Sequence, residues 1–177
     1  MFVMEDVTLR LATAADLDQV MVIIHAAQQF IARQGFDQWQ DGYPAQTDML
    51  ADITAQQLYV LTLHGQVVAV AAAVRGIDPN YRLIEEGAWL QSHDYAAIHR
   101  VAVANDFRGE HLGQRLFERL FAKLSQDGVD AVRVDTHAGN VPMQHLLTRI
   151  GFDFCGFIYI DGTAKRRAYE HVLQPAH

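Results

Sequence analysis

Ala97 to Lys123 reads AIHRVAVANDFRGEHLGQRLFERLFAK, and its order of residue types decides the fold. Ile98, Val101 and Val103 have strand character, and Asn105 and Asp106 break the run. Leu112, Leu116, Leu120 and Leu124 then join Phe117 and Phe121 in one wide apolar stripe at helical spacing, with Arg115, Glu118, Arg119 and Lys123 largely outside it. A strand, a polar turn and an amphipathic helix in that order make an anion site. First-turn amides lack intrahelical partners, and the helix dipole favours negative charge beside them. Arg108 adds a cation to the turn, while Gly109 and Gly113 keep side chains out of the way.

The bulk numbers bound what surrounds this stretch. With 177 residues, half of them apolar and a fifth charged, the chain fits a single globular domain spanning 1–177. A net charge of -7 argues against a general nucleic-acid or anionic-membrane surface, because both need a basic face. The single cysteine, Cys155, excludes an intramolecular disulfide framework and suits a reducing compartment. No run approaches the roughly 18 apolar residues of a membrane span, and Met1 to Arg10 lacks the pattern of a signal peptide, so the expectation is cytoplasmic. The nine histidines form no His-x-x-x-His pair on an expected helix, which argues against a metal site. Cys155 lies on a strand expected to be buried and reads as a small core residue.

Outward from the centre, Val7 to Leu11 reads as a strand, and Thr13 with Asp16 resembles a capping box opening a helix. Leu17, Val20, Ile24, Ala27 and Ile31 give that helix a buried face as far as Gly35. Phe36 to Pro44 mixes Phe36, Trp39 and Tyr43 with polar residues, as an ordered loop does, and Thr47 is expected to cap a short helix holding Leu50 and Ile53. Leu58 to Leu63 and Val67 to Val74 read as a hairpin around His64-Gly65-Gln66. Gly76 to Tyr95 is a long connection, of a length that marks functional or mobile loops, and reads as a lid. Beyond the centre come a strand at Ala131 to Thr136, a helix at Val141 to Ile150 closed by Gly151, and a hairpin of Phe154 to Ile160 with Lys165 to Leu173 around Asp161-Gly162. The expected class is α/β, a mixed and mostly antiparallel sheet with helices on both faces and a right-handed strand–helix–strand crossover at its centre. No G-x-G-x-x-G follows a strand and no P-loop is present.

Arg108-Gly109-Glu110-His111-Leu112-Gly113 resembles the acyl-CoA-binding loop of the GNAT family of N-acetyltransferases, with His111 standing where the first patterned glycine is usual. A second segment, Val134-Asp135-Thr136-His137 through Asn140-Val141-Pro142-Met143 to Ile150-Gly151-Phe152, looks like the family's second cofactor motif. The order of elements is similar from end to end. The resemblance implies an acyl-CoA N-acyltransferase-like fold in which the central parallel strands splay to admit the pantetheine arm of acetyl-CoA. Pantetheine would pair with main-chain groups of Val101, Ala102 and Val103. Pyrophosphate would rest on amides of Arg108, Gly109, Glu110, His111, Leu112, Gly113 and Gln114, with Asn140 and Met143 as further cofactor contacts. Asn140 also sits where a helix N-cap is needed, and the two roles are compatible.

The reaction the resemblance implies is attack of an acceptor amine on the thioester within a ternary complex. It needs a proton acceptor, oxyanion donors and protonation of the leaving thiolate. Main-chain NH near Val103 would serve the oxyanion. His99, on the same strand face as Val101, is the leading candidate base and His137 the second; for each, a satisfied structural histidine is the alternative. Glu85 and Glu86 could receive protons or bind a cationic acceptor, against a reading as solvated surface. The family's frequent thiolate-protonating tyrosine falls at Leu147 here, which leaves Tyr159 or water for that task. This absence also keeps open a module that senses acyl-CoA without turnover. The expected acceptor is a small-molecule or peptide amine, drawn to a pocket partly made by Trp39, Tyr43, Tyr81 and Trp89. Nucleic acid and membrane are not expected as partners, and a homodimer stays open.

Overall fold

In the computed structural model, which describes residues 7–105 and 111–174, the first strand is β1 (Val7–Leu11). Thr13 turns the chain into helix. Its backbone N–H donates to Asp16 Oδ2 at 2.7 Å across a single 3-10 turn (Ala14–Asp16), and the helix α1 (Leu17–Gln34) follows. α1 buries Leu17, Val20, Met21, Ile23, Ile24 and Ile31 and stops at Gly35, whose φ of 83° is the left-handed cap that glycine adopts without strain.

Arg10 forks onto Asp16 through Nη1 and Nη2 at 2.7 and 2.9 Å. That hydrogen-bonded pair, aided by the Thr13 amide, outweighs burial and holds the Asp16 carboxyl down to about 2. A folded pKa below the unfolded value contributes stability that is full above the usual carboxylate range and is lost as pH falls from about 4 towards 2. Asp16→Asn is expected to cost about 1–2 kcal/mol at pH 7, discounted because Arg10 is partly exposed. The variant's melting temperature should then fall less steeply than the native one between pH 4 and 2, a comparison thermal melts at several pH values can make.

The second helix, α2 (Gln46–Thr54), starts earlier than a Thr47 cap would dictate. Ala45 is its N-cap and Asp48 accepts the Ala45 N–H at 2.7 Å, so Thr47 lies inside the helix. Its buried residues are Met49 and Asp52, while Leu50 is exposed. β2 (Leu58–Leu63) and β3 (Gln66–Arg75) form the expected hairpin, turned by His64 and Gly65 at φ 51° and 76°. The connection after β3 contains a short 3-10 turn (Pro79–Tyr81) capped by Asp78, and leads to β4 (Tyr95–Val103). α3 (Leu112–Gln126), β5 (Ala131–Thr136), α4 (Val141–Arg149), β6 (Asp153–Ile160) and β7 (Ala164–Val172) complete the order. Leu112, Leu116, Phe117, Leu120 and Leu124 form the buried stripe of α3.

The strands form a seven-stranded sheet of order β1-β2-β3-β4-β5-β7-β6. It is mixed and mostly antiparallel: β4 and β5 run parallel, in register from Tyr95↔Ala131 to Ala97↔Arg133, and β6–β7 and β5–β7 are antiparallel. Two compact units are present, Met1–Ala73 with His99–Arg119 and Val74–Ile98 with Leu120–His177. In the first, β2 is buried along its whole length and β3 from Val67 to Ala73, so both faces of this part of the sheet are covered. In the second, Tyr81, Tyr95, Ala97, Ala131, Ile158 and Ala168 make a core in which the 3-10 turn packs on the sheet. No helix among the described residues is long and apolar enough to cross a membrane.

Candidate active site

In the first unit, β4 does not run through as a regular strand. Arg100 has a φ of 55°, so the period-two alternation that would put His99 and Val101 on one face is interrupted between them. His99, Arg100, Val101 and Val103 are half-buried and Ala102 is buried. Arg100 holds its unusual backbone through a fork: Nε and Nη2 donate to the two oxygens of Asp52 at 2.5 and 2.9 Å. Asp52 also accepts from Gln57 Nε2 at 2.8 Å. The remaining arm, Arg100 Nη1, donates to the Tyr43 hydroxyl at 2.8 Å. Gln28 Nε2 in turn donates to the carbonyls of Tyr43 and Pro44 at 3.0 and 3.2 Å, which ties the aromatic loop to α1.

Arg108, Gly109 and Glu110 lie outside the described residues. His111 is exposed and has a φ of 52°, the left-handed region that a glycine occupies freely and that histidine enters more often than most side chains. Its carbonyl accepts from Arg115 N–H at 3.0 Å, so Leu112, Gly113 and Gln114 form the first turn of α3, whose amides have no intrahelical acceptor. Leu112 is buried, and Gly113 and Gln114 are half-buried.

In the second unit, Asn140 caps α4, its Oδ1 accepting from Met143 N–H at 3.3 Å, with Pro142 in the first turn. Leu147 is fully buried, and Met143, Leu146 and Ile150 are half-buried. His137 Nδ1 accepts from Gly139 N–H at 2.9 Å, which puts the proton of the neutral ring on Nε2. A second proton on that ring breaks this bond. Burial, reinforced by the charge of Glu170, pushes the Cys155 thiol up to about 11, so it stays protonated at neutral pH, as a core cysteine does.

The long connection of this unit is anchored rather than loose. Glu170, completely buried on β7, accepts from Leu90 N–H at 2.6 Å, Gln91 Nε2 at 2.9 Å and Arg133 Nε at 2.6 Å. The Arg133 guanidinium lies 4.2 Å from the centroid of the Trp89 ring and 4.0 Å from that of Tyr95. Tyr81 donates to Asp135 Oδ1 at 2.6 Å; its burial, with the charge of Asp135, raises the phenol well above its ordinary value. Together Tyr81, Trp89, Gln91, Tyr95 and Arg133 line an open cavity of about 570 Å³. Of the aromatic residues expected at an acceptor pocket, Tyr81 and Trp89 are thus brought together here, whereas Trp39 and Tyr43 belong to the first unit. Glu85 and Glu86 are exposed.

A family model described as the acetyltransferase (GNAT) family matches residues 24–152. The chain belongs to the GNAT acetyltransferase family. Among solved structures, a GNAT family acetyltransferase from Streptococcus agalactiae is 36% identical, with a TM-score of 0.88 over 95% of this chain and 96% of that one. A GNAT family acetyltransferase from Listeria monocytogenes, 17% identical with a TM-score of 0.74 over 96% of each chain, shares the fold. So does the ribosomal-protein-S18-alanine N-acetyltransferase from Escherichia coli, 17% identical with a TM-score of 0.65 over 97% of each chain. No curated protein matches. Asp52, Arg100, Arg133 and Glu170 escaped the sequence reading of this GNAT family member. The one signal for the last two was charge of both signs on two strands, Arg133 beside Asp135 on β5 and Glu170 on β7.

Proposed function

We propose that this chain is an N-acetyltransferase that moves the acetyl group of acetyl-CoA to the amine of a small molecule or peptide by direct attack in a ternary complex. The observation that carries this reading is the first turn of α3, Leu112–Gln114, following β4 in a chain whose family match spans both units. The same reading takes 1–177 as one acyltransferase domain and the enzyme as cytoplasmic. Two fold neighbours carry names for quite different amines, agmatine and a ribosomal-protein alanine, but at 16% and 17% identity they share the fold alone.

The residues fit the cosubstrate. First-turn amides of Leu112, Gly113 and Gln114, with Arg108, Gly109, Glu110 and His111 before them, would bind the pyrophosphate. The left-handed backbone of His111 supports this, since it is a conformation that glycine adopts freely and histidine enters at a cost of about 1 kcal/mol. Val101, Ala102 and Val103 would pair with pantetheine through their main chain, and Asn140 and Met143 would complete the contacts. Acetyl-CoA supplies the activated acetyl group.

His99 is the favoured base, because His137 has already committed Nδ1 to Gly139. His99→Gln is expected to lower turnover about 100-fold at the pH plateau while leaving acetyl-CoA affinity within about twofold. Steady-state rates beside calorimetric affinities check this, and an unchanged rate removes His99 from the role.

A non-catalytic acyl-CoA sensor is the second reading, favoured by one observation: Leu147 is core, so α4 offers no hydroxyl at that position. Calorimetry with acetyl-CoA followed by free-thiol release across a panel of amines separates the two. Binding with thiol release supports the enzyme, binding without thiol from any amine supports the sensor, and no binding of any CoA species overturns both.

A further inference from the structure

Aminolysis of a thioester expels an alkyl thiolate; an ordinary alkyl thiol, such as cysteine's with a pKa of about 8.5, is protonated near pH 7, so the sulfur ends protonated and a placed donor speeds its departure. Tyr43 has the geometry of such a donor. Its oxygen already accepts from Arg100 Nη1 at 2.8 Å, so its own O–H is directed away from the guanidinium. Tyr43 as a residue is 38% exposed. Gln28 fixes its backbone at two carbonyls. The cation that touches it stands next to Val101 in the chain and is itself locked on Asp52, so the hydroxyl is held within one arginine side chain of β4.

We propose that Tyr43 protonates the departing sulfur and that Arg100 is the positioning residue that aims it. This rests on the acetyltransferase reading. The acceptor nitrogen forms its bond to the acetyl carbon, the carbon–sulfur bond breaks, and the Tyr43 proton passes to sulfur. The proton shed by nitrogen, collected by His99 or solvent, returns to the Tyr43 oxygen. Amine and thioester become amide and thiol, with no net charge and no oxidant. While the phenol oxygen is negative, the guanidinium 2.8 Å away stabilises it. The left-handed backbone at Arg100 also gains a purpose, since it turns the side chain towards α2 and the aromatic loop instead of into the strand's alternation.

Tyr43→Phe removes only a hydroxyl from a partly exposed ring and should melt like the native protein. With acetyl-CoA and an amine that the native enzyme uses, its turnover should fall about 100-fold. With the acetyl thioester of 5-thio-2-nitrobenzoate, whose leaving group needs no proton, the same variant should stay within about threefold. A binding readout accompanies the rates. Native protein should hold CoA more tightly than desulfo-CoA by up to about tenfold, one hydrogen bond's worth, and Tyr43→Phe should abolish that preference. Arg100→Lys keeps the charge but not the fork, and should lose as much turnover as Tyr43→Phe, with no further loss in the double variant. A Tyr43→Phe enzyme that releases thiol at the native rate overturns the inference and leaves the acetyltransferase reading standing. So does an equal loss on both thioesters. Native protein that releases thiol with no amine overturns both.

Discussion

Glu170→Ala is expected to lower the unfolding free energy by about 3–5 kcal/mol, because it leaves the buried Arg133 charge without its carboxylate. On the order of 10 °C in melting temperature should be lost in a chain of this length. Arg133 lies between Trp89 and Tyr95, and with Glu170 gone those rings and the Gln91 carbonyl are left to hold its charge. The amide of Leu90 loses its acceptor at the same time. A double variant separates the charge from the scaffold. Arg133→Met with Glu170→Leu removes both ions and keeps the volume, so most of the loss should return. About 1–2 kcal/mol should remain missing, the cost of the orphaned Leu90 amide. A double variant no better than Glu170→Ala would mean that the pair's hydrogen bonds, and not its charges, hold the connection after β3.

Gly87→Ala should be nearly as damaging, at about 3 kcal/mol. A Cβ at Gly87 would stand 1.8 Å from the Cys155 carbonyl oxygen, and backbone cannot swing aside as a side chain can. Relief requires pulling residues 85–88 off β6, where Glu85 and Phe157 exchange hydrogen bonds at 2.8 and 2.9 Å and Ala88 N–H donates to Cys155 at 3.0 Å. Gly156 faces the same constraint from the other side, with a φ of 147° and a virtual Cβ 2.6 Å from the Glu85 oxygen. Gly76→Ala is the matched control: its φ of 96° is strained for alanine but nothing lies within 4 Å, so it should cost only about 1–2 kcal/mol. Hydrogen exchange should accelerate at Phe157 and Ala88 in Gly87→Ala and not in Gly76→Ala. Equal losses in the two variants would contradict close packing as the cause.

The fold was legible because its signals are local. Val7–Leu11, Leu58–Leu63 and Ala131–Thr136 have the bounds that β-rich composition between turn residues predicts, and Gly35 and Gly151 end their helices at positive φ. Where one local signal competed with another, the stronger partner won: Thr47 looked like the cap of α2, but Asp48 reaches back to Ala45 and fixes the start there. The residues that build the site's scaffold were hidden for a different reason. Arg133 faces Glu170 across the β5–β7 register, 37 residues away, and alternation alone assigns Arg133 and Asp135 to a solvent face. That face is covered by Tyr81 and Trp89 from the connection after β3, a segment without periodicity whose order comes from Glu170. Arg100 was read as one more strand residue because nothing about arginine announces a left-handed backbone; Asp52, 48 residues earlier, imposes it. The cofactor motifs were legible as backbone chemistry around α3 and α4. The acceptor chemistry was not, since it depends on side chains that only tertiary contacts bring together.

One measurement tests the central claim most directly: free thiol and acetylated amine quantified together after acetyl-CoA is mixed with the native protein and a panel of small amines and peptides. An N-acetyltransferase gives both products in equal amounts with at least one acceptor, at a rate proportional to enzyme. Saturable acetyl-CoA binding with neither product from any acceptor would contradict it.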